Sequence, residues 1–230
     1  VRHPSPLVAR LRAPAGQHPS RGVLAELRRA VISGDAPPGS AIPLREVAEA
    51  FGVSPIPVRE ALQVLVGEGL VVHRAHAGYA VARLSRSELA ELYVVRGALE
   101  EAALRAAAPR ATDDDVDQAH EALAALRACL TDGDVRSYHE HSRAFHVALM
   151  APAGMPRLLG MVEQAWNLTE AVQPMRWSTW QARERLHAEH AQMLEAFAGR
   201  DADALVAVAR AHQRRLGDVV ADVPLDEEPG

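Results

Sequence analysis

From Ser87 to about residue 220, apolar side chains recur at helical spacing and no stretch alternates apolar with polar residues. A chain patterned this way over more than half its length folds there as packed helices. Helices are predicted from Ser87 to Ala108, stopping before Pro109, and from Thr112, where Asp113, Asp114 and Asp115 suit a helix N-terminus. Others are predicted over roughly 134–151, 156–173, 177–198 and 201–220, with Asp201 as the N-cap of the last. Abundant alanine and only 4% aromatic residues favour helix over sheet. Residues 85–221 therefore read as an all-helical domain, and 222–230, acidic with two prolines, as a frayed tail.

The first part is punctuated differently. Residues 1–20, rich in Pro, Ser, Arg and Gly, read as a flexible arm. A helix is predicted from about Val23 to Ser33, stopping at Gly34 before the Pro37-Pro38-Gly39 turn. A second fits Leu44 to Phe51 and ends at Gly52. Ser54 is expected to cap a third, Pro55 to Glu68, with prolines at N1 and N3, where no amide is needed inside the helix. Leu70-Val71-Val72 and Tyr79-Ala80-Val81 read as strands joined by a polar loop, a wing. The fold class is mainly α, with a small N-terminal domain over 21–84.

Composition excludes several classes. With 48% hydrophobic residues the chain buries a core. One cysteine, Cys129, rules out a disulfide scaffold or cysteine-rich zinc module. No apolar run is long enough for a bilayer, and no signal-peptide stretch is evident, so a cytoplasmic protein without membrane contact is expected. All 25 basic residues are arginine, which points to a GC-rich genome rather than a function. The net charge of −5 is unevenly spread: residues 1–84 hold ten Arg and six acids, and residues 85–230 hold fifteen Arg and twenty-four acids. A basic first part on an acidic remainder suggests that the first part meets a polyanion.

Leu44 to Leu65 carries a helix-turn-helix pattern. Ala48 is small where two helices must cross, Gly52 lets the chain turn, and Val53, Val58, Leu62 and Leu65 supply the buried face of the second helix. Its exposed face would carry Ser54, Ile56, Arg59, Glu60 and Gln63. Short polar groups and free amides at a helix start suit phosphate, and Arg or Gln reaches base edges. The wing adds His73, Arg74 and His76.

"PLREVAEAFGVSPIPVREALQVLVGEGLV" closely resembles the winged helix-turn-helix of the GntR family of bacterial regulators, over about residues 21–84. The resemblance implies operator DNA as partner, contacted by Arg45, Arg59 and the wing tip around His76 and Gly78. Many members carry Arg after Gly-Val-Ser where this chain has Pro55, which implies a different operator preference.

In the helical half three histidines stand among apolar neighbours: His146 beside Phe145 and Leu149, His190 near Met193 and Leu194, and His212 after Leu205 and Val208. Three neutral imidazoles from facing helices complete a metal site inside a bundle. Separate hydrogen-bonded or surface histidines are the alternative, since eleven in one chain make chance placement easy. Arg96 reads either as a carboxylate-binding guanidinium or as half of a surface pair with Glu100. Arg176, Trp166, Trp177 and Trp180 are candidate pocket walls.

"LYVVRGALEEAAL", "SRAFHVALMAPAGMPRLL", "HAEHAQMLEAFAGRDADAL" and "ARAHQRRL" resemble the FCD effector domain of the FadR-like branch, over about residues 85–217. The resemblance implies a homodimer and a small organic-acid effector reached by Arg96 and the position of Ser142. It also implies a divalent ion, Zn or Ni, on His146, His190 and His212. Relatives place Asp where this chain has Ser142. Three outcomes stay open: three His with water or effector, His139 substituting, or a metal-free pocket. The expected function is a ligand-responsive DNA-binding transcription regulator, most often a repressor, and not an enzyme. The alternatives are a regulator whose effector is the ion itself, and a metal-dependent enzyme on the three-His site.

Overall fold

The computed structural model describes residues 5, 7–12, 19–221, 223 and 225. The chain divides into two compact units. One holds the described residues up to Leu84 together with Glu170–Gln173; the other holds those of Ser85–Thr169 and from Pro174 onward.

In the first unit α1 (Pro19–Ile32) is followed by β1 (Ala41–Ile42), α2 (Leu44–Phe51), α3 (Pro55–Gly67), β2 (Val71–Arg74) and β3 (Gly78–Val81). Of the apolar residues that helical spacing puts on one face, Leu27 and Val31 of α1, Val47 and Ala48 of α2, and Val58, Leu62 and Leu65 of α3 are buried, whereas Leu24, Ile32, Leu44, Phe51 and Val53 are only half-buried and Val23 takes a core place instead. Gly52 adopts the left-handed conformation at φ 64, and its N–H bonds to the carbonyls of Ala48 and Glu49, closing α2. Bidentate hydrogen bonds from Arg28 to Glu68 tie α1 to the residue after α3. The sheet order is β1-β3-β2, antiparallel throughout, with Ile42 opposite Tyr79 and Arg74 opposite Gly78.

Four expectations are corrected. The first helix begins at Pro19, not Val23, and Val8–Arg10 forms a 3-10 turn within the segment read as a flexible arm. Leu7 is buried there and the Ser5 N–H donates to Glu46, so this part is held by tertiary contact. The rest of the arm, and all of the 222–230 tail except Val223 and Leu225, lie outside the described residues. β1 was not anticipated: two residues carry no period, and only pairing with β3 makes them a strand. Ser54 occupies the N-cap of α3 with extended backbone, but its side chain makes no capping hydrogen bond.

The second unit is six helices among the described residues: α4 (Arg86–Ala107), α5 (Asp113–Asp132), α6 (Val135–Met150), α7 (Pro156–Glu170), α8 (Trp180–Ala198) and α9 (Ala202–Ala221). Their starts are chemically marked. Ser85 with Glu88 and Thr112 with Asp115 form reciprocal capping boxes, and Asp201 accepts from the Ala204 N–H at 2.9 Å. The helix predicted to 173 ends at Glu170, and the one predicted from 177 begins at Trp180; a short 3-10 turn, Pro174–Trp177, lies between. The core packs Leu104, Phe145, Leu149, Met193, Phe197 and Leu205 against alanines that let the helices approach closely. No helix among the described residues is long and apolar enough to cross a membrane.

Candidate functional site

The first unit presents a polar face built from α2, α3 and the wing. Arg45, Ser54, Ile56, Arg59 and His76 are exposed, and Gly78 is half-buried. Ile56 is 65% exposed at the second position of α3, an apolar group that the unit's own core does not claim. At the wing tip His76 has φ 63 and Gly78 φ 81, so the two strands join through left-handed backbone, and a Cβ at Gly78 would meet nothing within 4 Å. Ile42, Leu44, Arg59, Gln63, His73, Gly78 and Tyr79 line a groove between α3 and the wing. Gln63, anticipated as a base reader, donates its side-chain N–H to the Tyr79 hydroxyl at 2.8 Å. The His73 ring lies 4.7 Å from the Tyr79 ring. The glutamine thus also braces α3 against the wing.

In the second unit, α6, α8 and α9 bring His146, His190 and His212 together in the interior, 1%, 1% and 3% exposed. One nitrogen from each lies within 4.8 Å of the others. The Nε2 atoms of His146 and His190 are 3.1 Å apart, and the His190 and His212 ring centroids 4.5 Å. Phe145 closes one side, 5.2 Å from the His190 ring. Burial pushes the His146 imidazole down to about 3; the nearby Glu100 opposes this, and His212 and Arg96 add to it. Burial likewise holds His190 well below its ordinary value, with His212 and His146 reinforcing it. Neutral rings are the form in which imidazole donates a lone pair to a metal. Nitrogens about 2.0–2.1 Å from a common ion stand a little over 3 Å apart, close to the His146–His190 separation. The donor set therefore fits a divalent ion of the Zn or Ni type.

Arg96 and Glu100, one turn apart on α4, are not a surface pair: they are 4% and 2% exposed. Arg96 Nε donates to Glu100 Oε1 at 2.6 Å, and its guanidinium stacks 3.8 Å from the Trp166 ring. Trp166 Nε1 donates to the same oxygen, and Gln213 Nε2 to the other, each at 2.6 Å. Thr169 lies 3.4 Å from the guanidinium. Burial raises the Glu100 pKa, but the Arg96 guanidinium, through its charge and its hydrogen bond, holds it below the usual range. Glu100 Oε2 lies 4.0 Å from His146 Nδ1, which places a buried carboxylate beside the histidine cluster.

Ser142 is half-buried one turn before His146. His139 is buried, but it is not grouped with the three histidines, and its Nε2 has no hydrogen-bond partner among the described residues. Of the candidate walls only Trp166 reaches the cluster; Trp177 and Trp180 are 56% and 49% exposed, and Arg176 is exposed. Sequence reasoning missed Glu189, Gln213 and Thr169. The adjacency of Glu189 to His190 is the one local signal that was available.

Comparison with known proteins agrees with this architecture. The model of the gntR family of bacterial regulatory proteins matches residues 19–81, and that of the FCD domain matches 91–215. The Nta operon transcriptional regulator of Aminobacter aminovorans is 30% identical over 81% of this chain and 87% of its own length. The HTH-type transcriptional repressor RspR of Escherichia coli is 26% identical over 86% of each. The solved structure of E. coli McbR/YncC superposes with a TM-score of 0.81 at 22% identity, covering 89% of this chain and 97% of its own. A winged helix-turn-helix joined to this helical bundle defines a DNA-binding transcriptional regulator and not an enzyme. The chain belongs to the GntR family, in the group that carries an FCD domain.

Proposed function

We propose that this regulator represses transcription as a homodimer and is released or retained on its operator by a small carboxylate effector bound in the helical unit. A divalent ion on His146, His190 and His212 would supply a positive centre that draws the carboxylate oxygens. Arg96 would take the effector's other oxygen or a second acidic group. Ser142, a neutral hydroxyl one turn before His146, would set no charge of its own against the ion. The observation that carries this reading is the convergence of three buried histidines, two of them forced neutral, beside the Arg96–Glu100 pair.

On the DNA side Arg59 and Arg45 would read or brace the major groove, Ser54 and Ile56 would sit at the helix start against the backbone, and His76 and Gly78 would approach the minor groove or phosphates. A half-site read by one small domain needs a two-fold partner, so the operator should be pseudo-palindromic. Val94 and Val95, exposed on α4, suit a contact between helical units.

A second reading, the ion itself as effector, is favoured by one feature: Glu100 already fills the carboxylate position of Arg96. Mobility shifts on operator DNA separate the two. Release by chelator with no response to added organic acids supports the ion. An organic-acid response that chelator abolishes supports the effector reading. An acid response indifferent to chelator leaves a metal-free pocket.

A further inference from the structure

His146 and His190 turn their Nε2 atoms to each other, and the Nδ1 atoms of the three histidines are treated unequally. His146 Nδ1 and His190 Nδ1 are buried and have no hydrogen-bond partner among the described residues. His212 Nδ1 lies 3.2 Å from Glu189 Oε2. The other oxygen of that carboxylate accepts from Arg215 Nε at 2.5 Å. Glu189, on α8, is only 7% exposed and spans two positions of α9 three residues apart, His212 and Arg215.

A carboxylate only accepts. When it faces Nδ1 of a neutral imidazole, it selects the tautomer with the proton on Nδ1 and leaves the lone pair on Nε2. We propose that Glu189 is the positioning residue of the metal centre: it fixes His212 as the Nδ1–H tautomer with Nε2 presented to the ion, and it returns through that ring part of the negative charge that Ser142 does not supply. This rests on the three-histidine metal reading above. Arg215 holds the carboxylate in place from the exposed side, with its own side chain 44% exposed, so it orients Glu189 without burying a second charge. Outer partners of this kind orient a ligand ring and raise its basicity, and losing one typically costs about 10–100-fold in metal affinity.

The test uses the full chain and two readouts. Long-range proton–nitrogen NMR of the metal-free protein reports the His212 tautomer. Competition with a chromophoric chelator reports Zn²⁺ affinity. The wild type should show His212 protonated at Nδ1. Glu189→Ala should shift that ring toward the other tautomer and weaken Zn²⁺ retention about 10–100-fold. Glu189→Gln, which keeps the shape but has no charge and only one acceptor oxygen for the two donors His212 and Arg215, should weaken Zn²⁺ retention about tenfold. It also keeps the question decidable if the alanine variant does not fold. A wild-type His212 protonated at Nε2, unchanged tautomer and affinity in Glu189→Ala, or unchanged affinity in Glu189→Gln overturns the proposal. Should wild-type protein bind no Zn²⁺, the metal reading falls. The tautomer arm then decides Glu189 separately: Nδ1–H in the wild type and its loss in Glu189→Ala would still establish the positioning contact.

Discussion

His146 on α6 and His190 on α8 set their Nε2 atoms 3.1 Å apart in an interior that leaves each residue about 1% exposed. Two neutral rings at that separation share at most one proton between them, and their outward nitrogens are left without partners among the described residues. An ion between the inward nitrogens would use both lone pairs and free both outward nitrogens to carry the N–H. Metal content follows directly. Protein purified without chelator should carry close to one divalent ion per chain. His190→Ala should weaken retention by more than the roughly 10–100-fold typical of an outer partner, and Ser142→Asp should tighten it. Elemental analysis and metal titration are the measurements. No stoichiometric metal, with no change on His190→Ala, would leave a metal-free pocket.

The Arg96–Glu100 pair should matter more to stability than a surface pair would. Glu100→Ala removes the carboxylate to which Arg96, Trp166 and Gln213 all donate. The cost should be about 3–5 kcal/mol, as for other buried charges deprived of a partner. All three tryptophans, Trp166, Trp177 and Trp180, lie in the helical unit, so fluorescence during urea unfolding reports that unit alone. A loss under about 1 kcal/mol would mean that the pair behaves as if solvated.

Acid should destabilise the metal-free helical unit in a defined window. Burial, with Arg96 and Arg176 adding to it, pushes His139 down to about 4 from an ordinary 6.5. Between those values the unfolded chain binds the proton and the folded one does not, so stability falls as pH drops from about 6.5 to about 4 and is fully present above it. The share of His139 is about 3 kcal/mol. His139→Gln should make the pH dependence of the urea midpoint shallower over this range, the remaining slope coming from His146 and His190. An unchanged slope would show that the ring is not buried as a neutral group.

Arg59→Ala should weaken operator binding by about 1–3 kcal/mol and relax specificity at one base pair, and Arg45→Ala should weaken it similarly if the side chain lies in the groove. Both are exposed, so folding should be unaffected. Binding by fluorescence anisotropy at matched salt is the check. Two variants as tight as wild type would move the recognition surface elsewhere.

Light scattering at micromolar concentration should give a dimer with and without DNA. A monomer in both conditions would remove the two-fold reading of the operator. Val94→Asp, placing a charge on the exposed face of α4, should shift the equilibrium toward monomer if that helix carries the contact.

What the sequence determined by itself is local. Gly52 ends α2, Thr112 opens α5 and Asp201 opens α9, because each cap is set by a residue within about three positions of the backbone it satisfies. Most of the buried face of α1, α2 and α3 followed from a period that one helix contains, at Leu27, Val47 and Leu62 among other positions. Tertiary structure decided what depends on separate segments meeting. β1 exists only because Ile42 pairs with Tyr79. Arg96 and Glu100 show the same spacing whether exposed or buried; Trp166 and Gln213, far along the chain, make the pair an interior one. Apolar neighbours singled out His146, His190 and His212, but among eleven histidines that left separate placement equally open, and it took the family resemblance to join the three into one site. Their convergence, and the contact of Glu189 with His212, arise where α6, α8 and α9 pack, because side chains dozens of residues apart share a solvent-free volume only when their helices do.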